Sequence, residues 1–171
     1  MNVAAEIRRV AKLSGTFKLR SGAISDTYFD KYQFEARPEL LRAIAENMAS
    51  LIPTGAEILA GLEMGGIPIA VMLGQVTGLP TAFIRKEAKS YGTCKFAEGP
   101  PLGGRHVVLI EDVVSTGGAI LDAVRKLRAD DVNLSTTLCV IDRETGGAEA
   151  LAAAGIDLRS LFTMSYIENA A

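Results

Sequence analysis

VVLIEDVVSTGGAI, residues 107–120, passes from an apolar block through two carboxylates into small and hydroxyl residues, then turns apolar again. A short branched apolar run with such a boundary reads as a buried strand. After Gly117 and Gly118, the residues Ile120, Leu121, Val124 and Leu127 recur at helical spacing, which predicts a helix over 117–130. A strand that ends on Glu111-Asp112 and feeds a helix N-terminus is the repeating unit of an open parallel sheet. In such sheets ligands bind beyond the carboxyl ends of the strands.

The same alternation extends on both sides. EILAG (57–61), TAFIR (81–85), HVVLIED (106–112), LSTTLCVID (134–142) and LRSLFTM (158–164) read as strands. Helices are predicted over 66–78, with Pro68 in the first turn, and over 147–155, ending at Gly155. A further helix begins near Pro38 and is stopped by Pro53. The expected fold class is α/β, a mainly parallel sheet with helices on both faces. Residues 16–35 read instead as short strands separated by turns, so about the first 35 residues are expected to form a small accessory lobe. The segment 86–104 is long and polar for a connection inside a compact domain, as functional or mobile loops are.

The totals narrow the function classes. A chain of 171 residues suits one domain with a sizeable core. It is 49% hydrophobic and 22% charged, an ordinary globular balance. The formal charge of −2 gives no global basic field for nucleic acid, so any anion site must be local. Cys94 and Cys139 lie far apart and make neither a disulfide scaffold nor a metal spacing. No apolar run is long enough for a bilayer, and the amino-terminal pattern carries Glu6, Arg8 and Arg9 without a signal-peptide core. A cytoplasmic protein without a membrane or nucleic-acid partner is expected. His106, the one histidine, opens a strand and reads as a structural or surface residue, and Cys139 reads as a small buried hydrophobe.

The chemistry concentrates on the opening stretch. Amides at a helix N-terminus and the positive end of the helix dipole attract an anion. Gly117 and Gly118 let backbone approach it, and Ser115 and Thr116 add hydroxyl donors. Carboxylates beside a phosphate would repel it, but they suit sugar hydroxyls attached to that phosphate, or a metal ion. A ribose phosphate satisfies both halves. The plainer alternative is an N-capped helix after a solvated strand end.

This stretch resembles the phosphoribosyl-diphosphate signature of the type I phosphoribosyltransferases, which implies their fold: a parallel sheet with helices on both faces and an amino-terminal hood. Four more stretches are similar to the orotate-specific branch of that family: GTFKLRSGAISDTYFD (15–30), GGIPIA (65–70), RKEAKSYGT (85–93) and DRETGG (142–147). The resemblance implies one domain over 1–171, with 86–104 as a mobile catalytic loop. It implies transfer of the 5-phosphoribosyl group from phosphoribosyl diphosphate to orotate, in pyrimidine synthesis.

By that resemblance, Arg85, Lys86, Lys89 and Asp112 are the catalytic set. Tyr91, Glu111, Val113, Val114, Ser115, Thr116, Gly117, Gly118 and Ala119 join them in holding phosphoribosyl diphosphate. The acids would take the ribose hydroxyls and the loop would take the 5-phosphate. Arg20, Tyr28, Phe29, Ser115 and Arg143 would border orotate. Magnesium is expected on diphosphate oxygens, with no metal site made by the protein alone. The loop cations serve a neighbouring subunit's site in the family, which implies a homodimer.

Each residue has a plainer reading. The loop lysines could merely keep an exposed loop soluble, Arg143 could be a rim arginine paired with Glu144, and Tyr28 and Phe29 could be core aromatics. Three departures from the family pattern stand out. Tyr91 replaces a histidine, Arg20 replaces a lysine, and Met64-Gly65 replaces a Tyr-Lys pair in the turn that contacts pyrophosphate. Two alternatives share the fold: a purine or uracil phosphoribosyltransferase, and a regulator that senses phosphoribosyl diphosphate while binding nucleic acid.

Overall fold

The computed structural model describes residues 1–18, 22–88 and 95–170. Helix α1 (Val3–Ala11) runs directly into β1 (Lys12–Lys18), which pairs antiparallel with β2 (Ile24–Phe29). This two-stranded ribbon is a sheet of its own, as the hood was expected to be. Then come α2 (Tyr32–Glu35), α3 (Pro38–Met48), β3 (Ile58–Leu62), α4 (Gly66–Thr77), β4 (Thr81–Ile84) and β5 (Ala97–Glu98). The chain finishes with β6 (His106–Val114), α5 (Gly118–Ala129), β7 (Asn133–Asp142), α6 (Gly147–Ala153), β8 (Asp157–Thr163) and α7 (Met164–Asn169).

The main sheet has six strands in the order β5-β4-β3-β6-β7-β8. All its pairs are parallel except β4 with β5. Its strands are apolar on both faces because each face is covered. Val108 and Ile110 pack with residues of α1, α3 and α4, among them Ile7, Ile44 and Leu73. Val107 and Leu109 pack on the other side with Ile120, Val124 and Leu127 of α5 and Leu151 of α6. Cys139 is fully buried there, and His106 is exposed at the start of β6. Among the described residues, no helix is long and apolar enough to cross a membrane.

Four details depart from the sequence reading. Strand β6 continues past Asp112 to Val114, because β7 keeps pairing with it through Val113↔Ile141 and Val114↔Asp142. The segment 86–104 is not one loop: Ala97 and Glu98 pair with Ile84 and Phe83, and Leu102 is buried against the sheet. Helix α2 lies within 16–35, which read as short strands separated by turns. Met164, read as the end of a strand, begins α7, where the Thr163 hydroxyl caps the helix by accepting from the Tyr166 amide.

Helix α4 crosses the sheet closely because Gly66 lacks a side chain. A Cβ there would stand 2.2 Å from the Ile110 carbonyl oxygen, which is backbone and cannot rotate away. Gly66→Ala should destabilise the protein by more than about 2 kcal/mol, read by denaturant unfolding, because the helix must move off the sheet. Wild-type stability in that variant would show that the helix moves freely.

Candidate active site

Successive residues of a strand point to opposite faces. Asp112 shares its parity with Val108 and Ile110 and falls on the hood side, whereas Glu111 follows Val107 and Leu109. Asp112 is fully buried, and Lys31 Nζ stands 2.6 Å from its Oδ2. A Cβ on Gly65 would lie 1.5 Å from that same oxygen, so the carboxylate occupies the space a side chain would need. The Glu111 carboxylate accepts from the Asp112 amide at 3.0 Å.

Glu35 completes this cluster. Its Oε1 is buried without a donor. Burial, followed by the hydrogen bond and charge of Asp112, pushes its carboxyl up to about 9, against the opposing charge of Lys31. A protonated Glu35 can donate to Asp112, whereas two ionised carboxylates there would repel. Glu111 is pushed up to about 8, first by burial and then by the charge of Asp112. Burial works against the Lys31 ammonium, but its bond to Asp112 and the nearby acidic charge outweigh that and raise its pKa.

The turn after β6 leads straight into the N-terminus of α5. Gly117 adopts a left-handed conformation, φ +77°, and no side chain caps α5. The first amides of that 12-residue helix have no partner within the helix, as at any helix N-terminus. Gly147 lets the next turn press against this one, since a Cβ there would meet the Ser115 carbonyl oxygen at 2.4 Å. The Arg143 amide donates to the Val114 carbonyl at 2.8 Å, which sets Arg143 beside the same turn.

Two cavities flank these residues. One, of about 730 Å³, lies between hood and sheet and is lined by Lys18, Tyr28, Phe29, Val113, Ser115 and Arg143, among others. Tyr28 is exposed and stacks on Phe17 with ring centres 5.5 Å apart, while Phe29 packs toward the core. The other, of about 550 Å³, is lined by Met64, Arg85, Lys86, Glu111, Asp112 and Ala119, among others. Lys31 and Val113 line both.

The edges of 86–104 are fastened to the second cavity. Glu63 Oε1 accepts from the Lys86 amide at 2.6 Å, and Lys126 Nζ donates to the Lys86 carbonyl at 3.3 Å. Lys126 also stands 4.6 Å from the centre of the Phe96 ring. Arg85 Nε donates to Glu98 at 3.3 Å across the gap between β4 and β5.

The structure thus brings Arg85, Lys86, Glu111, Asp112, Val113 and Ala119 to one cavity, and Tyr28, Phe29, Ser115 and Arg143 to the other. Val114, Thr116, Gly117 and Gly118 shape the turn between them. Lys89, Tyr91, Cys94 and Arg20 lie outside the described residues. Arg143 is not held by Glu144, whose carboxylate accepts from the amide and hydroxyl of Ser165 at 2.8 and 3.0 Å. Sequence reasoning missed Lys31, Glu35, Lys18 and Lys126, because no local pattern marks a charged residue whose neighbours come from another element.

Residues 31–154 match the family described as phosphoribosyl transferase domain. The chain is 49% identical over 168 residues to an orotate phosphoribosyltransferase of Nocardioides sp., covering 98% of this chain and 94% of that one. The chain belongs to the orotate phosphoribosyltransferases, in the type I phosphoribosyltransferase family. Among solved orotate phosphoribosyltransferases, the Mycobacterium tuberculosis protein in complex with Fe(III) dicitrate superposes with a TM-score of 0.88 at 28% identity, covering 96% of both chains. The same protein in complex with 5-phospho-α-D-ribosyl 1-diphosphate gives a TM-score of 0.83 at 25% identity, over 97% of this chain and 96% of that one. The fold is therefore the type I phosphoribosyltransferase fold, with the parallel sheet and hood expected from the sequence.

The buried acids give this orotate phosphoribosyltransferase a defined pH response. Glu35 and Glu111 bind protons more tightly folded than unfolded, so their contribution to stability is complete below about pH 4.5. It is lost as pH rises through about 8 for Glu111 and about 9 for Glu35. Lys31, Glu111, Asp112 and Tyr32 are the charged and titratable neighbours that act on this cluster. Glu35→Gln, neutral at every pH, should flatten the decline in unfolding free energy between pH 5 and 9. An unchanged slope would mean that Glu35 is ionised in the folded protein.

Proposed function

We infer that the enzyme holds phosphoribosyl diphosphate in the cavity lined by Glu111, Asp112 and the α5 N-terminus, and orotate in the cavity between hood and sheet. The observation that carries this reading is that two cavities of different chemistry meet at Val113 and Lys31. One offers carboxylates, helix amides and loop cations. The other offers two aromatic rings and the Arg143 guanidinium, whose flat donor edge suits a planar ring bearing oxygens and a carboxylate.

In this reading, Ser115, Thr116 and the amides of Gly117, Gly118 and Ala119 grip the 5-phosphate, and Glu111 and Asp112 take ribose hydroxyls. Asp112 is buried beside Lys31, so it must part from Lys31 or act through it. Arg85, Lys86 and Lys89, with Tyr91 as a hydrogen-bond donor, close on the diphosphate. The glycosidic bond to diphosphate breaks as the bond from the anomeric carbon to the orotate ring nitrogen forms. The chain's contribution is positioning and stabilisation of separating charge.

Among the described residues, no three His, Cys, Asp or Glu side chains gather to cage a metal. Glu63, Glu87, Glu111 and Asp122 line the donor cavity with the oxygen donors that a hard cation accepts. Magnesium brought by the diphosphate would offset the charge developing on that leaving group.

A homodimer is supported by the outer face of α4. That helix buries only Gly66, Ile69, Ala70 and Leu73, and leaves the apolar Val71 exposed. A regulator that binds nucleic acid is disfavoured by the net charge of −2.

The assay is the loss of orotate's ultraviolet absorbance in the presence of magnesium and phosphoribosyl diphosphate. Consumption of adenine, hypoxanthine or uracil with orotate untouched would overturn the reading. Arg143→Met should raise KM for orotate on the order of tenfold to a hundredfold, with less effect on the donor. Val71→Asp should shift sedimentation from dimer to monomer. If the loop acts in trans, mixing inactive Lys89→Ala with inactive Asp112→Asn should restore roughly a quarter of wild-type activity, since heterodimers regain one intact site. No recovery in mixed dimers would place the loop in its own subunit's site.

A further inference from the structure

Lys31 stands where the two cavities meet, yet nothing in the sequence marks it. It opens the short helix α2, just after the Tyr28-Phe29-Asp30 run, and its side chain is 35% exposed. Its Nζ forms an ion pair with the buried Asp112 carboxylate at 2.6 Å, and the Tyr32 ring lies 5.3 Å from the ammonium. The residue lines both cavities, and an ammonium has three donors to offer.

The described cations of the donor cavity divide by origin. Arg85 and Lys86 follow β4, and Lys126 comes from α5. Arg85 is engaged with Glu98, and Lys126 with the Lys86 carbonyl. Lys31 reaches the same space from the hood side. The Met64-Gly65 turn between them supplies no cation, and Gly65 cannot gain a side chain while Asp112 keeps its place. A diphosphate in this cavity would meet Lys31 as the cation opposite the loop.

We propose that Lys31 is a donor-binding and positioning residue: its ammonium fixes the Asp112 carboxylate in the wall between the cavities and gives its remaining N–H groups to anionic oxygens of phosphoribosyl diphosphate. This rests on the donor occupying the cavity named above. The arrangement uses Lys as a movable point charge, able to stay near Asp112 while following the anion.

The test uses the full-length enzyme. Lys31→Met keeps the apolar stem and removes the charge. It should weaken magnesium–phosphoribosyl diphosphate binding at least tenfold by calorimetry and lower kcat about tenfold, with orotate affinity changed less than threefold. Lys31→Arg should recover donor affinity more fully than kcat, because the larger planar group cannot reproduce the 2.6 Å contact beside Gly65. Donor binding and turnover within twofold of wild type in Lys31→Met would overturn the proposal. Wild-type protein supplies a measurement independent of folding: magnesium–phosphoribosyl diphosphate should slow acetylation of Lys31 by an amine-reactive reagent, read by mass spectrometry. Equal labelling with and without donor would also overturn it. If the wild type binds donor and shields Lys31 but never consumes orotate, the acceptor assignment fails while the role of Lys31 stands.

Discussion

Strand β6 is hydrogen-bonded to β3 only as far as Ile110, but to β7 as far as Val114. This stagger lies at the point where the sheet reverses its order, with β4 and β5 on one side of the β3–β6 pair and β7 and β8 on the other. A crevice must open there, because the connections after β3 and β6 leave in different directions. Glu111 and Asp112 occupy the part of β6 that has lost its β3 neighbour. The cavity lined by Glu111 and Asp112, the turn into α5 and the approach of the hood all follow from that one mismatch in strand length.

A carboxylate left in such a crevice must be sealed or solvated, and Asp112 is sealed. Gly65 gives it room, Lys31 gives it charge, and Glu35 meets it from within the hydrophobic core. Removing one partner from a buried ion pair is costlier than never having built the pair. The hood residues Lys31 and Glu35 are therefore tied to the sheet by electrostatics as well as by packing. Since Lys31 also faces both cavities, the contact that docks the hood is the one a bound anion would disturb.

The glycines divide the remaining work by geometry. Gly66 brings α4 onto the sheet, Gly117 turns the chain into α5, and Gly147 lets α6 approach Ser115. Together they bring the N-termini of α4, α5 and α6 toward the same end of the sheet, where the helix dipoles favour an anion. The hood encloses the opposite side with the aromatic residues Tyr28 and Phe29. A site assembled in this way needs little net charge from the protein as a whole, which agrees with a total of −2.

The sequence alone determined the α/β class, the strand and helix alternation and the anion turn, because those features are written in periodicity and in glycine placement within a few residues. The five local stretches also pointed to the family that the comparisons establish. Tertiary structure decided what no local pattern could carry. Asp112 is buried rather than presented at a strand end, because β7 extends β6 by two residues. Glu35 favours its protonated form because it is buried and because Asp112, 77 positions later in the chain, lies against it. Lys31 stands between the cavities because the hood docks there. Burial, pairing and proton affinity depend on groups that meet only when distant segments pack, and a linear pattern does not encode those distances.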